Sequence, residues 1–275
     1  MCAQNMDDKT KNIIKKWYDA LSFSKKYDEE FGKALEAAEI SDTVNIDDYD
    51  LNSTDGKRNL LSFLFMCEAL EKRYIEKGID RSILMDTLKD LTIWTDTWSD
   101  LKGRLYLGEL TWVNRHMDMK LFKLGRLQFC MGKAEKNIEG KMTEGENVIE
   151  IHIPEGEPLD VDECRRSIKR AAEFFKKYFP EFEYTHFTTH TWLLDKTLKE
   201  ILKPESNILK FQQLFEVVSE DKSDAILGYV FKWKTTREDV KKCDCTSGFA
   251  QRVKDRISAG GDFFENLGIF KKEQL

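Results

Sequence analysis

The chain has 275 residues, of which 41% are apolar and 34% are charged, and its formal net charge is −6. A chain of this length and apolar content buries a substantial core, arranged as one large or two modest domains. The negative charge argues against a general nucleic-acid-binding surface. The first residues lack the order of a signal peptide, and no apolar run approaches the ~18 residues of a membrane span, so we expect a cytoplasmic protein.

The first half of the chain predicts helices throughout. From residue 7 to about residue 103 the apolar residues recur at intervals of three and four, which is the helical period. The run over residues 60–67 is apolar on nearly all sides, which is typical of a helix buried inside a bundle. A further helix is predicted over residues 108–119. After it the period changes from about 3.6 to about 2, and this change predicts two domains, over residues 1–119 and 120–275.

The second half predicts strands mixed with helices. Strands are predicted over residues 121–131, 147–153, 184–190, 207–218 and 225–233, with a helix between the second and third of them and further helices over residues 192–202 and 247–258. The helix between the second and third strands begins with a capping-box pattern, Asp160 with Glu163, and Pro180 ends it. This order of elements favours an α/β or α+β fold with a mixed central sheet.

Polar side chains interrupt two of the apolar strands of the second half. In the second predicted strand the isoleucines alternate with Glu150 and His152, which therefore lie on the opposite face. The same alternation places His186 and His190 on one face of the third strand. If the intervening helix makes these strands parallel neighbours, all four side chains share one face or cleft. A shared face of this kind predicts a functional site.

Five stretches of the chain together resemble a known family. They are Leu124-Gly-Arg-Leu-Gln-Phe129, Glu150-Ile-His-Ile-Pro-Glu-Gly156, His190-Thr-Trp-Leu-Leu-Asp195, Pro204-Glu-Ser-Asn-Ile-Leu209 and Ala259-Gly-Gly261. On these residues the second half resembles the C-terminal domain of a bacterial family of GNAT-like acyltransferases, and the first half is similar to the helical N-terminal domain that accompanies it. The resemblance implies an N-terminal helical bundle followed by a GNAT-like mixed sheet with flanking helices.

The resemblance also implies a reaction. Acyl-CoA, the co-substrate, is expected to enter between the second and third strands of the second half, where these strands part. Its pantetheine arm would pair with the backbone groups that the parting leaves open. The acyl group then passes to the amine of a small-molecule or peptide acceptor, whose identity the resemblance does not give.

Residue roles follow from the same resemblance. His152 is expected to be the base that takes the proton from the amine, because imidazole exchanges protons near neutral pH. Glu150 or His190 is expected to orient His152 or to relay its proton. We expect the acceptor to bind where three residues of the first half approach the sheet: Trp112, Arg115 and His116.

The loop over residues 154–160 departs from the family's usual phosphate-binding pattern. It contains one glycine, two prolines without an amide hydrogen and three acidic residues. Asp160 is expected to occupy the helix N-terminus that would otherwise meet an anion. The predicted CoA-binding residues are therefore the loop glycine and three residues that supply positive charge: Gly156, Arg126, Arg165 and Arg166.

Three other interpretations stay open. In the first, His152 is a half-buried structural histidine bonded to Glu150 or to a backbone carbonyl. In the second, the chain keeps the fold without catalysis and binds a ligand or a partner, which the unusual loop favours. In the third, Glu150, His152 and His190, with His186 as a further candidate ligand, bind a metal ion for hydrolysis. Histidine and carboxylate suit zinc, but the sequence has no short zinc-binding spacing.

Overall fold

The computed structural model describes residues 5–39, 52–245 and 247–271. The chain divides into two compact units, the first ending at Leu124 and the second beginning at Gly125. The two units have different kinds of secondary structure, and this difference matches the predicted fold class.

The first unit is helical. Its elements are α1 Asp8–Leu21, a 3-10 turn Lys25–Tyr27, α2 Asp28–Glu36, α3 Gly56–Glu76, α4 Arg81–Leu88, α5 Asp90–Lys102, α6 Leu110–Met117 and the short strand β1 Leu121–Lys123. Helices α1, α3 and α4 each begin after an aspartate, Asp7, Asp55 and Asp80, whose side chain accepts a hydrogen bond from a backbone N–H of the first turn. The predicted burial of α3 is confirmed, because Leu60, Phe63, Leu64, Cys67 and Leu70 are fully buried.

The second unit is built on a mixed sheet. Its strands are β2 Gln128–Lys133, β3 Asn147–His152, β4 His186–Thr191, β5 Phe215–Val217, β6 Asp221–Lys222 and β7 Phe264–Phe270. Its α-helices are α7 Val161–Tyr178, α8 Asn207–Gln212, α9 Ala225–Val230, α10 Arg237–Lys242 and α11 Gly248–Ser258. The strand order is β2-β3-β4-β7-β5, and β6 also pairs with β7. The β3 and β4 pair is parallel, as predicted, while the other pairs are antiparallel.

Three predicted elements of the second unit were wrong. Residues 207–218 form α8 followed by the short β5, and residues 225–233 contain α9 rather than a strand. A short apolar run fits both the helical and the strand period, so the sequence does not distinguish them. Tertiary packing favours the helix, because Ile226 and Leu227 of α9 are both buried in one cluster with Leu198. Residues 192–202 form two 3-10 segments, Trp192–Leu194 and Lys196–Glu200, instead of one helix.

Strand β7 was not predicted, although it pairs with three other strands. Its alternation is interrupted by Asn266 and Gly268, so no strand period is visible in the sequence. A Cβ atom at Gly268 would collide with the Leu194 side chain, which explains why a glycine is tolerated in the middle of this strand. The position of β7 in the sheet therefore depends on the close approach of Gly268 to Leu194, which are far apart in the sequence.

The sheet has one apolar and one polar face. Ile149 and Ile151 of β3 are buried on the apolar face, and Phe187 of β4 contacts Tyr184, whose ring in turn contacts Phe175 of α7. Residues paired across neighbouring strands have their side chains on the same face. The β3–β4 register therefore places Glu150, His152, His186 and His190 on the face opposite the isoleucines. Part of this polar face is covered by the loop between β2 and β3, where Met142 packs with Val148.

Candidate active site

The pairing between strands β3 and β4 ends part-way along both strands. Their parallel ladder has three residue pairs and ends at Glu150 and Thr188. Beyond that point β3 continues to His152 paired with β2, and β4 continues to Thr191 paired with β7. In this fully described part of the chain, no ladder joins residues 151–152 to residues 189–191. This unpaired stretch, called the opening below, leaves strand backbone with which an extended ligand can pair.

Glu150 and His152 lie together at this opening. As alternate residues of β3 they share the polar face, and His152 Nε2 lies 3.3 Å from Glu150 Oε2. Both side chains are partly exposed, 31% for His152 and 25% for Glu150. On the neighbouring strand, a Cβ atom at Gly132 would collide with the Glu150 carboxylate. Gly132 thus leaves the space in which Glu150 reaches His152.

His190 lies on the other side of the opening and has its own carboxylate. Its Nε2 atom is 3.6 Å from Asp221 Oδ2. Asp221 is held by the Ser219 hydroxyl, which donates to it at 2.6 Å, and by its own backbone N–H, which donates to the buried Asn266 side chain. Hydrogen bonds from Ser219 and Lys136 hold the pKa of Asp221 below its usual value, so the carboxylate stays ionised beside His190.

Asp221 is a residue of the candidate site that the sequence does not predict. The residue lies between the strands predicted over residues 207–218 and 225–233, and it reaches His190 only because β6 pairs with β7, which pairs with β4. No local pattern in the sequence signals such a contact.

His186 lies at the beginning of β4, away from the opening. Its Nδ1 atom is 2.9 Å from the Thr185 hydroxyl and 3.7 Å from Glu146. It lines a cavity of about 730 Å³ together with Lys141, Phe215 and Ile269. The three histidines of the second unit thus share a face, as predicted, but each contacts a different carboxylate.

The loop between β3 and α7 is held from inside by Arg126. This side chain is 6% exposed, and its guanidinium donates to the carbonyl oxygens of Pro154 at 3.0 Å, Glu157 at 2.8 Å and Pro158 at 2.8 Å. Burial lowers the pKa of Arg126, because desolvation disfavours its charged form. Gly156, with φ of +93°, allows the loop to turn between these carbonyls. The assignment of Arg126 and Gly156 as CoA-binding residues stays a prediction.

The first turn of α7 is already capped. Asp160 accepts hydrogen bonds from the N–H groups of Asp162 at 3.0 Å and Glu163 at 2.9 Å, which is the Asp160 half of the predicted capping box. The Glu163 carboxylate accepts from Arg166 instead of completing the box. Arg165 pairs with Asp162, and Arg166 pairs with Glu163, on the surface of the helix. Asp160 therefore occupies N–H groups that would otherwise be available to an anion at this end of α7. Contact of Arg165 and Arg166 with CoA also stays a prediction.

The family follows from two matches that together cover most of the chain. The model of the GNAT-like C-terminal domain matches residues 121–270, and the model of the N-acyltransferase N-terminal domain matches residues 7–119. This chain belongs to the GNAT-like C-terminal domain family. The predicted resemblance is thereby confirmed.

Solved structures with the same fold are acyltransferases. One is an acyltransferase in complex with decanoyl-CoA and teicoplanin, 24% identical in sequence, with a TM-score of 0.69 over 78% of this chain and 66% of that one. Another is an acyltransferase in complex with decanoyl-CoA, 26% identical, with a TM-score of 0.68 over 77% of this chain and 64% of that one. The present chain therefore spans just under two thirds of the length of these structures. A comparison with curated proteins gives no match.

In this GNAT-like chain the residues expected at the acceptor site are engaged within the first unit. His116 is fully buried, with Nε2 3.3 Å from Asp90 Oδ2. Trp112 Nε1 donates to the same carboxylate at 2.7 Å, and the Arg115 guanidinium lies 5.2 Å from the Trp112 ring centre. Their assignment to the acceptor site stays a prediction.

The described parts of this family member contain neither a candidate metal site nor a helix that could cross a membrane. Residues 5–39, 52–245 and 247–271 contain no group of three or more histidine, cysteine or acidic side chains arranged to hold a metal ion. The metal-dependent hydrolase interpretation therefore lacks a ligand set in these residues. Among the helices of the same ranges, none combines the length and apolar content that crossing a membrane requires.

Proposed function

We propose that this chain is an acyl-CoA-dependent N-acyltransferase, which moves an acyl group from CoA to the amine of a small-molecule or peptide acceptor. The observation that carries the proposal is the opening between β3 and β4, with the Glu150–His152 pair on one side of it and His190 on the other. An extended thioester placed there has backbone to pair with and a proton acceptor beside its reactive carbon.

The proposed mechanism begins with the Glu150–His152 pair. With His152 Nε2–H directed to the Glu150 carboxylate, the lone pair of the imidazole is on Nδ1. The acceptor amine attacks the thioester carbonyl carbon, and Nδ1 takes a proton from the amine nitrogen. The carbon–sulfur bond then breaks, the amide forms, and the CoA thiolate leaves and is protonated to the thiol. Glu150 stabilises the transient imidazolium by charge.

His190 is proposed to assist from the opposite strand. It is half exposed, and its Nε2 atom lies 3.6 Å from the Asp221 carboxylate, which can orient the ring. A protonated imidazole at this position is suited to give a proton to the departing thiolate. Since each histidine has its own carboxylate, the two act as separate groups on the two sides of the reacting bond.

The acyl group is proposed to be a medium-length chain. The acyltransferases that share this fold were solved with octanoyl-CoA and decanoyl-CoA, and one of them also with teicoplanin, a glycopeptide. A panel from acetyl-CoA to palmitoyl-CoA, with amino sugars, aminoglycosides and glycopeptides as acceptors, covers this range.

The test measures binding and turnover in separate steps. Thermal unfolding with each acyl-CoA shows which ester binds, because a ligand of the native state raises the unfolding midpoint. Release of the CoA thiol, followed with a thiol reagent, then shows which amine accepts the acyl group. We expect a raised midpoint with octanoyl- or decanoyl-CoA and amine-dependent thiol release. Binding without thiol release for any amine would favour the alternative of a ligand-binding protein without catalysis, and no binding at all would refute both.

A further inference from the structure

The connection between β2 and β3, residues 134–146, lies across the polar face of the sheet and is called the arm below. Its Met142 side chain is in one apolar cluster with Val148 of β3 and Leu267 of β7. Leu267 is the register partner of His190 on β4, so this cluster is on the face that carries the histidines. The arm therefore covers part of the surface beside the opening.

Two ion pairs join the arm to strands on the far side of the sheet. Lys136 Nζ lies 3.1 Å from Asp221 Oδ2 of β6, and Lys141 pairs with Glu216 of β5. Strands β4 and β7 separate β3 from β5, which corresponds to about 14 Å at the usual spacing of neighbouring strands. The arm must therefore extend over both central strands to make these pairs.

The far end of the arm is held more weakly than its base. The four side chains of the two ion pairs are between 36% and 54% exposed, and ion pairs with such exposure contribute little stability. At the base, the Ala134 N–H donates to the Glu146 carbonyl at 2.9 Å, and the Gly145 N–H donates to the Ala134 carbonyl at 2.8 Å. Within the arm, Ile138 and Met142 exchange two backbone hydrogen bonds. The arm can therefore lift as a unit about its base when the ion pairs break.

The arm lies on the route that the acceptor takes. The amine has to come within hydrogen-bond distance of His152, whose side chain is on the polar face. The proposed position of the thioester, by contrast, is between the strands, in the plane of the sheet. Lys136 approaches the same oxygen of Asp221 that lies 3.6 Å from His190, so the joined arm is directly beside the reacting groups. A compound that approaches across the polar face therefore meets the arm.

We infer that the arm selects the acceptor by size, with Lys136 and Lys141 as the specificity-determining residues. While both ion pairs are made, a compact amine reaches His152, whereas an amine on a larger body needs the arm to lift. The inference rests on the proposed function and adds the preferred class of acceptor, which is a primary amine on a compact body such as a single amino sugar. Both lysines act through the position of the arm and take no part in the chemistry.

The test compares two acceptors that carry the same amine and differ in bulk. Glucosamine has one sugar ring, and 4-O-galactosyl-glucosamine has a second ring and the same single charge. Thiol release at saturating octanoyl-CoA gives kcat/KM for each amine, for the unsubstituted chain, for Lys141→Met and for the double variant Lys136→Met with Lys141→Met. The matched control is Lys133→Met, because the Lys133 ammonium bonds to the Gly145 carbonyl and the Asn147 side chain within the hairpin itself.

The measured quantity is the ratio of kcat/KM for the larger amine to kcat/KM for glucosamine. We expect the double variant to raise this ratio about fivefold and Lys141→Met to raise it about twofold, which is the effect of losing two or one exposed ion pairs. Lys133→Met should leave the ratio unchanged. In the unsubstituted chain the ratio should also rise from about 0.05 M to about 0.5 M NaCl, because salt screens exposed pairs, and in the double variant it should not.

Titration calorimetry with octanoyl-CoA gives a second readout. Its Kd should stay within about twofold in every variant, because the arm covers the polar face and the thioester lies between the strands. A loss of octanoyl-CoA binding in the double variant that equals its change in kcat/KM for both amines would contradict selection of the acceptor.

Other results would also overturn the inference. An unchanged ratio in the double variant would do so, and so would an equal rise in Lys133→Met, which would assign the effect to the hairpin and not to the two ion pairs. If the double variant does not fold by circular dichroism, the ratio for Lys141→Met and the salt dependence of the unsubstituted chain decide. In these cases the proposed acyltransferase function stands, because the unsubstituted chain still releases thiol. Absence of thiol release with both sugars would overturn the inference, and its absence with every amine of the panel would overturn the proposed function as well.

Discussion

Two histidine–carboxylate pairs in this chain have the same separation and different surroundings. His116 and Asp90 in the first unit, and His152 and Glu150 in the second, are each 3.3 Å apart. The first pair is sealed, with side-chain exposures of 0% and 5%, whereas the second pair is 31% and 25% exposed. The nitrogen–oxygen distance is therefore the same in the sealed His116–Asp90 pair and in the His152–Glu150 pair at the opening. Access to solvent, and not the distance, distinguishes the candidate base.

The partners of the sealed pair explain its role. His116 Nδ1 lies 3.0 Å from the Val113 carbonyl, and Asp90 also accepts the Trp112 N–H. These two contacts satisfy His116 Nδ1 and Trp112 Nε1, polar groups of the helical unit that would otherwise cost free energy. The pair at the opening shares its face with His190 and with the end of the β3–β4 ladder. The comparison predicts that one pair contributes stability and the other contributes turnover.

The largest expected effect is that of His152→Ala on turnover. Loss of a general base lowers the rate by roughly 10²- to 10⁴-fold. We expect kcat to fall within that range while the Kd for octanoyl-CoA changes by less than about threefold, because binding uses the strand backbone and the loop. Thiol release and calorimetry measure the two quantities. Retained turnover would remove His152 from the base role and leave His190 as the candidate.

The sealed pair predicts the opposite result. His116→Ala should lower the free energy of unfolding by about 3 kcal/mol, because the buried Asp90 loses a partner. Urea unfolding followed by circular dichroism measures this loss. Below the unfolding transition, kcat should stay within about threefold of the unsubstituted chain. A hundredfold fall in kcat with no loss of stability would contradict the comparison.

Gly132→Ala tests whether the position of Glu150 matters. The added methyl group collides with the Glu150 carboxylate, which must then move away from His152. We expect kcat to fall about tenfold, with the Kd for octanoyl-CoA unchanged, since a misplaced catalytic group costs rate and not binding. Gly32→Ala is the control, because a Cβ atom at this helical glycine meets no atom within 4 Å. An unchanged kcat in Gly132→Ala would show that Glu150 does not need its present contact.

The smallest effect is expected at the third pair, His190 and Asp221. Asp221→Asn removes the negative charge beside His190, and because both side chains are about half exposed we expect only about a threefold fall in kcat. The pKa of Asp221 is lowered in the folded chain, so its contribution to stability is present above about pH 3.8 and is lost as the pH falls through the lowered value. The difference in unfolding midpoint between Asp221→Asn and the unsubstituted chain should therefore disappear in strong acid. A difference that grows in acid would contradict this sign.

Much of the fold was predictable because local patterns determine it. The helical first half, the β2–β3 hairpin, the β3–α7–β4 crossover and the Asp160 cap all follow from periodicity and capping residues within short windows. The elements after β4 were predicted poorly, since their runs are short and their apolar residues fit either period. The division of the chain at residues 119 and 120 stays a prediction, as the compact units meet at Leu124 and Gly125.

The candidate site was predictable in part for the same reason. Glu150 and His152 lie two residues apart on one strand, so alternation alone places them together. Asp221 and Gly132 were not predicted, because each reaches the site across a strand pair whose register the sequence does not state. Arg126 was predicted as a source of charge, but its three carbonyl partners were not.

By itself the sequence determined the helical and mixed halves, the family and the face that carries the histidines, because each of these depends on spacing along the chain. Only the tertiary structure decided that β3 and β4 part after Glu150, that His116 is sealed while His152 is open, and that Arg126 lies under the loop. These properties depend on which segments meet after folding, and burial and hydrogen bonding between distant residues leave no local pattern.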